Sequence, residues 1–392
     1  MERLTRLDGL RGVLAVYVML GHALPYTMLP TWAGAPFVHG EAAVDVFFAL
    51  SGLVVINSLE RFNYRAGPFL AGRARRLLPV YFTVLALAVG LIWLGSPLPE
   101  MPWIAPASLQ ADFWAIGMPP QFIWHLLAHI TLVQGLLPQG LLPWAYITLL
   151  GPAWSLSTEW QFYIIMALLM RRVRSLTRFG ILLLAVAVVY RVMEGFLPVY
   201  WQFSRAFLPD AAGFFGLGVM SAVWLRKGHG LPLAAAVLVV AALGLFSGAP
   251  VRLLTPLVWL LVLLVQKYGV MPPLARALDS RVVQYLGAIS YPLYLLNAPV
   301  QRACAMLVAP LVHGSAAMFG WLWLPLALAA PVLAAAILHH AVEVRFMRAP
   351  RRLTPISIPG SCQPVCSAWH DWQVHFGAGA STGASPRAVS TA

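Results

Sequence analysis

The chain has 392 residues, 60% of them hydrophobic and 10% charged, with a mean hydropathy of +0.78 and a formal net charge of +13. This make-up excludes an ordinary soluble domain and predicts a polytopic membrane protein. A basic excess spread along the chain is not the clustered footprint of a nucleic-acid binder, so nucleic acid is not an expected partner.

A helix supplies all its own backbone hydrogen bonds in lipid and needs about 20 residues to cross. Ten apolar windows bounded by charge, Pro or Gly predict spans near 7–25, 42–59, 77–95, 153–170, 179–195, 208–225, 231–247, 252–267, 282–305 and 317–339. The fold class is therefore an all-α bundle of about ten transmembrane helices around an interior polar cavity. Lys and Arg collect on the cytoplasmic side. Placing both termini there puts Arg3 and Arg6, Arg61 to Arg76, Arg171 to Arg178, Arg226 and Lys227, Lys267 to Arg281 and Arg345 to Arg352 inside, leaving only Arg191, Arg205, Arg252 and Arg302 outside. Asp8 and Arg11 interrupt the first apolar run, so the first helix is expected to stay rather than be cleaved as a signal.

Residues 96–152 are apolar and aromatic, contain no Lys or Arg and connect two outer ends; "QFIWHLLAHITLVQGLLPQGLLPW" reads as re-entrant or interfacial. His125 and His129 stand there at i, i+4, with no third ligand beside them, so packing is the expected role. The membrane domain is expected to cover 1–348, and 349–392 to be a cytoplasmic, disordered tail of small polar residues. In that tail Cys362, Cys366, His370 and His375 are too compressed for the usual zinc finger, so no metal is expected. Cys304 reads as a small buried apolar residue.

Function should lie with polar groups that the membrane penalises. Arg11 and His22 are eleven residues apart, about 16 Å of helical rise and within about 20° of one face. Asp45 on the second window, Glu159 on the fourth, and Tyr291, Tyr294 and Asn297 on the ninth are expected at a depth similar to that of His22. A histidine beside a carboxylate is suited to take a proton from a hydroxyl. The plainer alternative pairs Asp45 and Glu159 with Arg11, Arg191 or Arg205. Before the third window, Arg73, Arg75 and Arg76 lie near Pro79 and Tyr81, where they could bind a polyphosphate cofactor or anchor lipid headgroups. A proton-coupled carrier or flippase for a lipid-linked sugar or anion could use His22, Asp45 and Glu159 as a relay, although no inverted repeat is visible.

"LDGLRGVLAVYVMLGH", "AAVDVFFALSGLVV", "FLAGRARRLLPVY", "PAWSLSTEWQFY", "LGAISYPLYLLNAPV" and "VEVRFMR" occur in the order seen in membrane-bound acyltransferase family 3, which the chain resembles from Leu7 to about Arg348. The Arg-x10-His pair Arg11/His22 is the most characteristic of these features. The resemblance implies transfer of an acyl group, usually acetyl, from cytoplasmic acyl-CoA to a hydroxyl of a carbohydrate, glycan or glycolipid acceptor, in the bacterial cytoplasmic (inner) membrane. It makes His22 the base or the acyl relay, with Asp45 and Glu159 as further catalytic groups. Arg11, Arg73, Arg75, Arg76 and Tyr81 would hold the coenzyme A moiety, and Trp154, Tyr291 and Asn297 would line the substrate cavity. The chain departs from the family pattern at Asn297, where His is common, at Trp160, where a second acid or polar residue is common, and at Arg345, where Pro is usual.

Overall fold

The structure is a computed structural model that describes residues 4–348 apart from positions 30, 106, 107, 109, 110, 112, 113, 115, 116, 174 and 249. The expectations for 349–392 lie outside the described residues. Helices form at all ten predicted windows: α1 (Thr5–Ala23), α2 (Gly40–Arg61), α3 (Ala66–Leu94), then after a short α4 (Phe122–Ile130), α5 (Trp154–Val173), α6 (Leu176–Glu194), α7 (Leu208–Lys227), α8 (Gly230–Phe246), α9 (Leu254–Tyr268), the pair α10 (Arg281–Ala288) and α11 (Ser290–Val308), and α12 (Ala316–Leu338). Among the described residues, eight helices are long and apolar enough to cross a membrane. The protein is an all-α polytopic membrane protein.

Two windows fall short of that test for different reasons. The helix α8 has 17 residues. The 20-residue α5 carries Ser155, Ser157, Thr158, Glu159 and Gln161, a polar run that can enter the bilayer only on an interior helix. Its burial agrees, since Ser157 and Thr158 are fully enclosed.

Three boundaries differ from expectation. The third window was expected to begin at 77, but α3 begins at Ala66, so the arginines expected in a loop are helical. Ala, Leu and Arg favour helix, and Pro68 sits in the first turn, where its missing N–H costs no bond. The ninth window breaks at Ile289 into an amphipathic α10 and a buried α11. The last helix continues past Leu338 through a π-helical turn, His339–Glu343, into Val344–Arg348.

The expected re-entrant stretch holds only the nine-residue α4, about 13 Å long and too short to cross. Tyr81 on α3 donates to the His129 carbonyl at 2.8 Å, and His129 Nε2 lies 3.0 Å from the Ala145 carbonyl. Burial pushes the His129 imidazole down to about 4, so it is neutral at pH 7. His125 Nδ1 meets the Thr148 hydroxyl at 2.9 Å. Both histidines are packed, and among the described residues no group of three or more His, Cys, Asp or Glu side chains could hold a metal ion.

Contacts sort the helix ends into two sets. Arg6 pairs with Asp279 at 3.0 Å, Arg226 with Glu60 at 2.6 Å and Arg76 with Glu343 at 3.7 Å, which ties together the ends of five of the six arginine-rich segments. At the opposite end Asp210 binds both Arg191 (2.6 Å) and Arg252 (3.0 Å), Arg205 pairs with Glu41 and Asp45, and Arg302 donates to the Gly95 carbonyl at 2.6 Å. The four arginines that break the positive-inside pattern are thus all engaged by protein groups.

Glycine sets the closest helix approaches. A Cβ at Gly218 would strike the Ala49 carbonyl oxygen, and one at Gly52 would strike the Phe215 carbonyl, so α2 and α7 meet backbone to backbone. Gly12 faces α10 in the same way. Overpacking a dense site costs about 1–3 kcal/mol. Gly218→Val is therefore expected to lower the melting temperature and the folded yield in detergent, whereas Gly90→Ala, in open space, leaves both unchanged or raises them slightly. A Gly218→Val variant that melts like the parent would refute this packing.

Candidate active site

A cavity enclosing about 1040 Å³, including its open mouth, lies between α1, α2, α3, α5 and α11. Arg11, Arg73, Arg76, Asp8 and Glu159 line it, together with Ser51, Ser155, Tyr163, Tyr291 and Tyr294. Three guanidinium groups thus face two carboxylates, leaving a positive balance near the arginine-rich end. Each group arrives by helical spacing. Arg73, Arg76 and Leu77 follow i, i+3, i+4 and share a face, while Arg75 points away, is exposed, and has its Nε 3.3 Å from the Ala71 carbonyl. Of the four arginines expected to hold the donor, Arg11, Arg73 and Arg76 reach the cavity and Arg75 does not.

Glu159 is held by hydroxyls. Ser51 donates to its Oε1 at 2.6 Å, and the Tyr163 hydroxyl donates to the same oxygen. The Arg73 guanidinium lies over the Tyr163 ring, 5.0 Å from its centroid, tying a cavity cation to the same cluster. Tyr291 donates to the Leu77 carbonyl at 2.8 Å and pins α11 against α3. At the inner limit Ser155 donates to the Tyr294 hydroxyl at 3.0 Å, and Phe47 packs against the Tyr294 ring.

His22 is not part of the cavity lining; it stands just beyond that limit. Its Nδ1 lies 2.5 Å from Asn297 Oδ1. The Asn297 Nδ2 donates to the carbonyls of Leu293 (3.1 Å) and Tyr294 (2.6 Å), so the amide oxygen must be the atom facing the histidine. Nδ1 is therefore the donor to Asn297, which leaves Nε2 as the nitrogen that a neutral imidazole would use as a base. Asn297 is completely buried. It cannot carry a proton, but it can fix an imidazole.

Of His22, Asp45, Glu159 and Asn297, expected at a similar depth, Glu159 is the one that departs. Ser51, the partner of Glu159, is six residues along α2 from Asp45, about 9 Å of rise. Glu159 lies one turn inward of Ser155, and Asn297 one turn outward of Tyr294. Glu159 and His22 are therefore separated by about two turns. Asp45, 2% exposed, meets Arg205 at 3.4 Å. That guanidinium also pairs with Glu41 and covers the Trp154 ring at 4.4 Å from its centroid. Asp45 and Trp154 thus belong to an ion-pair cluster beyond the cavity wall, the pairing alternative noted from sequence. Tyr81 anchors α4 instead of facing the cavity.

The sequence reading missed Ser51, Tyr163 and Ser155. Ser51 was legible in principle, being on the Asp45 helix within the "LSG" stretch, and Tyr163 lies one turn beyond Glu159.

The family model described as "Acyltransferase domain", acyltransferase family 3, matches residues 4–340. The chain belongs to this family. It is a multi-pass membrane acyltransferase. Among curated relatives, the exopolysaccharide production protein ExoZ of Rhizobium meliloti (strain 1021) is 31% identical over 294 residues, 71% of this chain and 80% of the relative. Acyltransferase MdmB of Streptomyces mycarofaciens is 27% identical over 391 residues, covering 91% and 94%. BcsY of Komagataeibacter xylinus, which carries the name of a membrane-bound transacylase, is 29% identical over 335 residues, covering 81% and 71%. No solved structure matches the chain.

Proposed function

We propose that this acyltransferase takes an acyl group, acetyl by preference, from acyl-CoA at the cytoplasmic face and passes it to a hydroxyl of a carbohydrate or glycan-like acceptor. The observation that carries this reading is a cavity with Arg11, Arg73 and Arg76 toward one end and His22, held by Asn297, one helical turn beyond the other. Guanidinium forks suit the phosphates of coenzyme A. The roughly 16 Å of rise from Arg11 to His22 is comparable to an extended pantetheine arm. The donor would enter with its phosphates at the arginine-rich end, which is then cytoplasmic, and its thioester near Tyr294.

His22 Nε2 takes the proton of the acceptor hydroxyl as that oxygen attacks the thioester carbonyl. The C–O bond forms, the C–S bond breaks, and the imidazolium returns its proton to the leaving thiolate. Asn297 holds the ring through this cycle. Glu159, bonded to Ser51 and Tyr163, organises the donor half of the cavity and does not serve as the partner of His22. The carbohydrate acceptor is supported by the exopolysaccharide role in the name of ExoZ.

Purified protein in lipid nanodiscs with acetyl-CoA and a candidate glycan is expected to release free thiol in step with a 42-Da rise in the glycan mass, roughly one acetyl group for each thiol. Movement of a sugar or anion across vesicles without consumption of acyl-CoA would instead identify a carrier.

A further inference from the structure

The last motif of the sequence, "VEVRFMR", is left without a task by the reading above, and the structure gives its glutamate a specific place. Glu343 closes the π-helical turn His339–Glu343 and is 2% exposed. A π-turn adds one residue to a helical turn and is frequent at functional sites. One carboxylate oxygen, Oε2, is 2.8 Å from His339 Nδ1; the other, Oε1, is 3.7 Å from Arg76 Nε. Arg76 lines the cavity, whereas Glu343 does not. The carboxylate therefore stands behind the arginine, on the side of the guanidinium that carries Nε.

A buried carboxylate is costly unless paired, so this arrangement is not neutral filler. A guanidinium presents two usable edges. Arg76 turns its Nε side to Glu343 and lines the cavity, where the Tyr163–Glu159 cluster and Arg11 also stand. Arg11 and Arg76 repel one another across that space, and both lie within Coulombic range of Glu343. Without a counter-charge behind it, a long arginine side chain is free to swing to solvent, since holding it in one rotamer costs entropy.

We infer that Glu343, fixed by the π-turn and by His339, is a positioning residue that aims Arg76 into the cavity to receive a phosphate of the acyl donor. This rests on the acyl-CoA reading of the cavity. The role requires that removing the Glu343 charge act through Arg76 and on donor binding, not on the transfer step.

The test is a double-mutant cycle on the full-length protein in nanodiscs, with Kd for coenzyme A measured by calorimetry and KM and kcat measured with acetyl-CoA. Glu343→Gln and Arg76→Gln are each expected to raise Kd and KM about tenfold, the scale of one charge-assisted hydrogen bond, with kcat held within about threefold. Combined, they should differ from Arg76→Gln alone by less than about twofold, because the first change has nothing left to position. If Glu343→Gln does not insert, Glu343→Asp keeps the charge and shortens the reach by one methylene. It should weaken coenzyme A binding severalfold in the parent and not in the Arg76→Gln background. Effects that multiply, an unchanged Kd, or a loss confined to kcat each overturn the inference. A parent that binds coenzyme A but transfers nothing defeats the transferase reading while the cycle still decides the role of Glu343. A parent that does not bind coenzyme A overturns both.

Discussion

His22→Ala is expected to abolish acyl transfer while leaving insertion, melting temperature and coenzyme A affinity close to those of the parent. A positioned base contributes about 100- to 10,000-fold, and the structure separates this base from the donor cavity, so its loss should appear in kcat and not in Kd. His22→Gln should fail equally, because an amide can reach Asn297 but cannot titrate. Asn297→Leu keeps the base and removes the acceptor that fixes its tautomer. It should therefore retain more activity than His22→Ala while losing a large part of kcat. Thiol release and product mass measured together on well-folded variants decide the matter. Near-normal transfer by His22→Ala would reduce the histidine to a packing element and remove the mechanism.

The sequence disclosed the helices more completely than the site, and the reason is physical. Apolar length is set by the bilayer, so the windows could be read from composition alone. Side-chain partners depend on rotation and register between helices, which composition does not carry. The case of Asp45 shows this. Its approximate depth was readable from the topology, but whether it faced His22 or Arg205 depended on which side of α2 meets α7 and the 205 segment, a contact set by Gly52 and Gly218. Arg75 shows a different failure. Reading residues 61–76 as loop made three neighbouring arginines equivalent, and the helix from Ala66 separates them by about 100° per residue. The family motifs carried Asn297 as a departure from pattern. The geometry converts that departure into a defined task, because its amide is fixed by two carbonyls and has only its oxygen to offer the histidine.

The outer arginines bear on how such a polar interior persists in lipid. Arg191, Arg205 and Arg252 are matched by Glu194, Asp210, Asp45 and Glu41, in clusters where each guanidinium side chain is 17% exposed or less. Paired charges of this kind are costly to break one at a time, so they lock the end of the bundle opposite the arginine-rich one. The cavity arginines are less closely matched: among the described residues no ion pair holds Arg73, and Arg76 meets only Glu343, at 3.7 Å. Guanidinium groups without a close carboxylate beside a cavity are what an anionic substrate would complete.

That contrast sets the second large expected effect. Arg73→Gln combined with Arg76→Gln should raise KM for acetyl-CoA by at least about 100-fold, since each charge-assisted phosphate contact is worth about 1.5–3 kcal/mol and 1.4 kcal/mol is tenfold. Because such contacts hold the donor equally in the ground and transition states, kcat at saturating donor should fall far less. Raised ionic strength should mimic the change in the parent and have little further effect on the variant, as screening acts only on charges that remain. Arg75→Gln supplies the internal control: its side chain is on the exposed side of α3, so KM should stay within about twofold of the parent if the cavity, and not the basic character of the segment, binds the donor. Should Arg75→Gln weaken donor use as much as Arg73→Gln and Arg76→Gln, the arginines act as a diffuse electrostatic field near the membrane surface, and the donor must enter elsewhere.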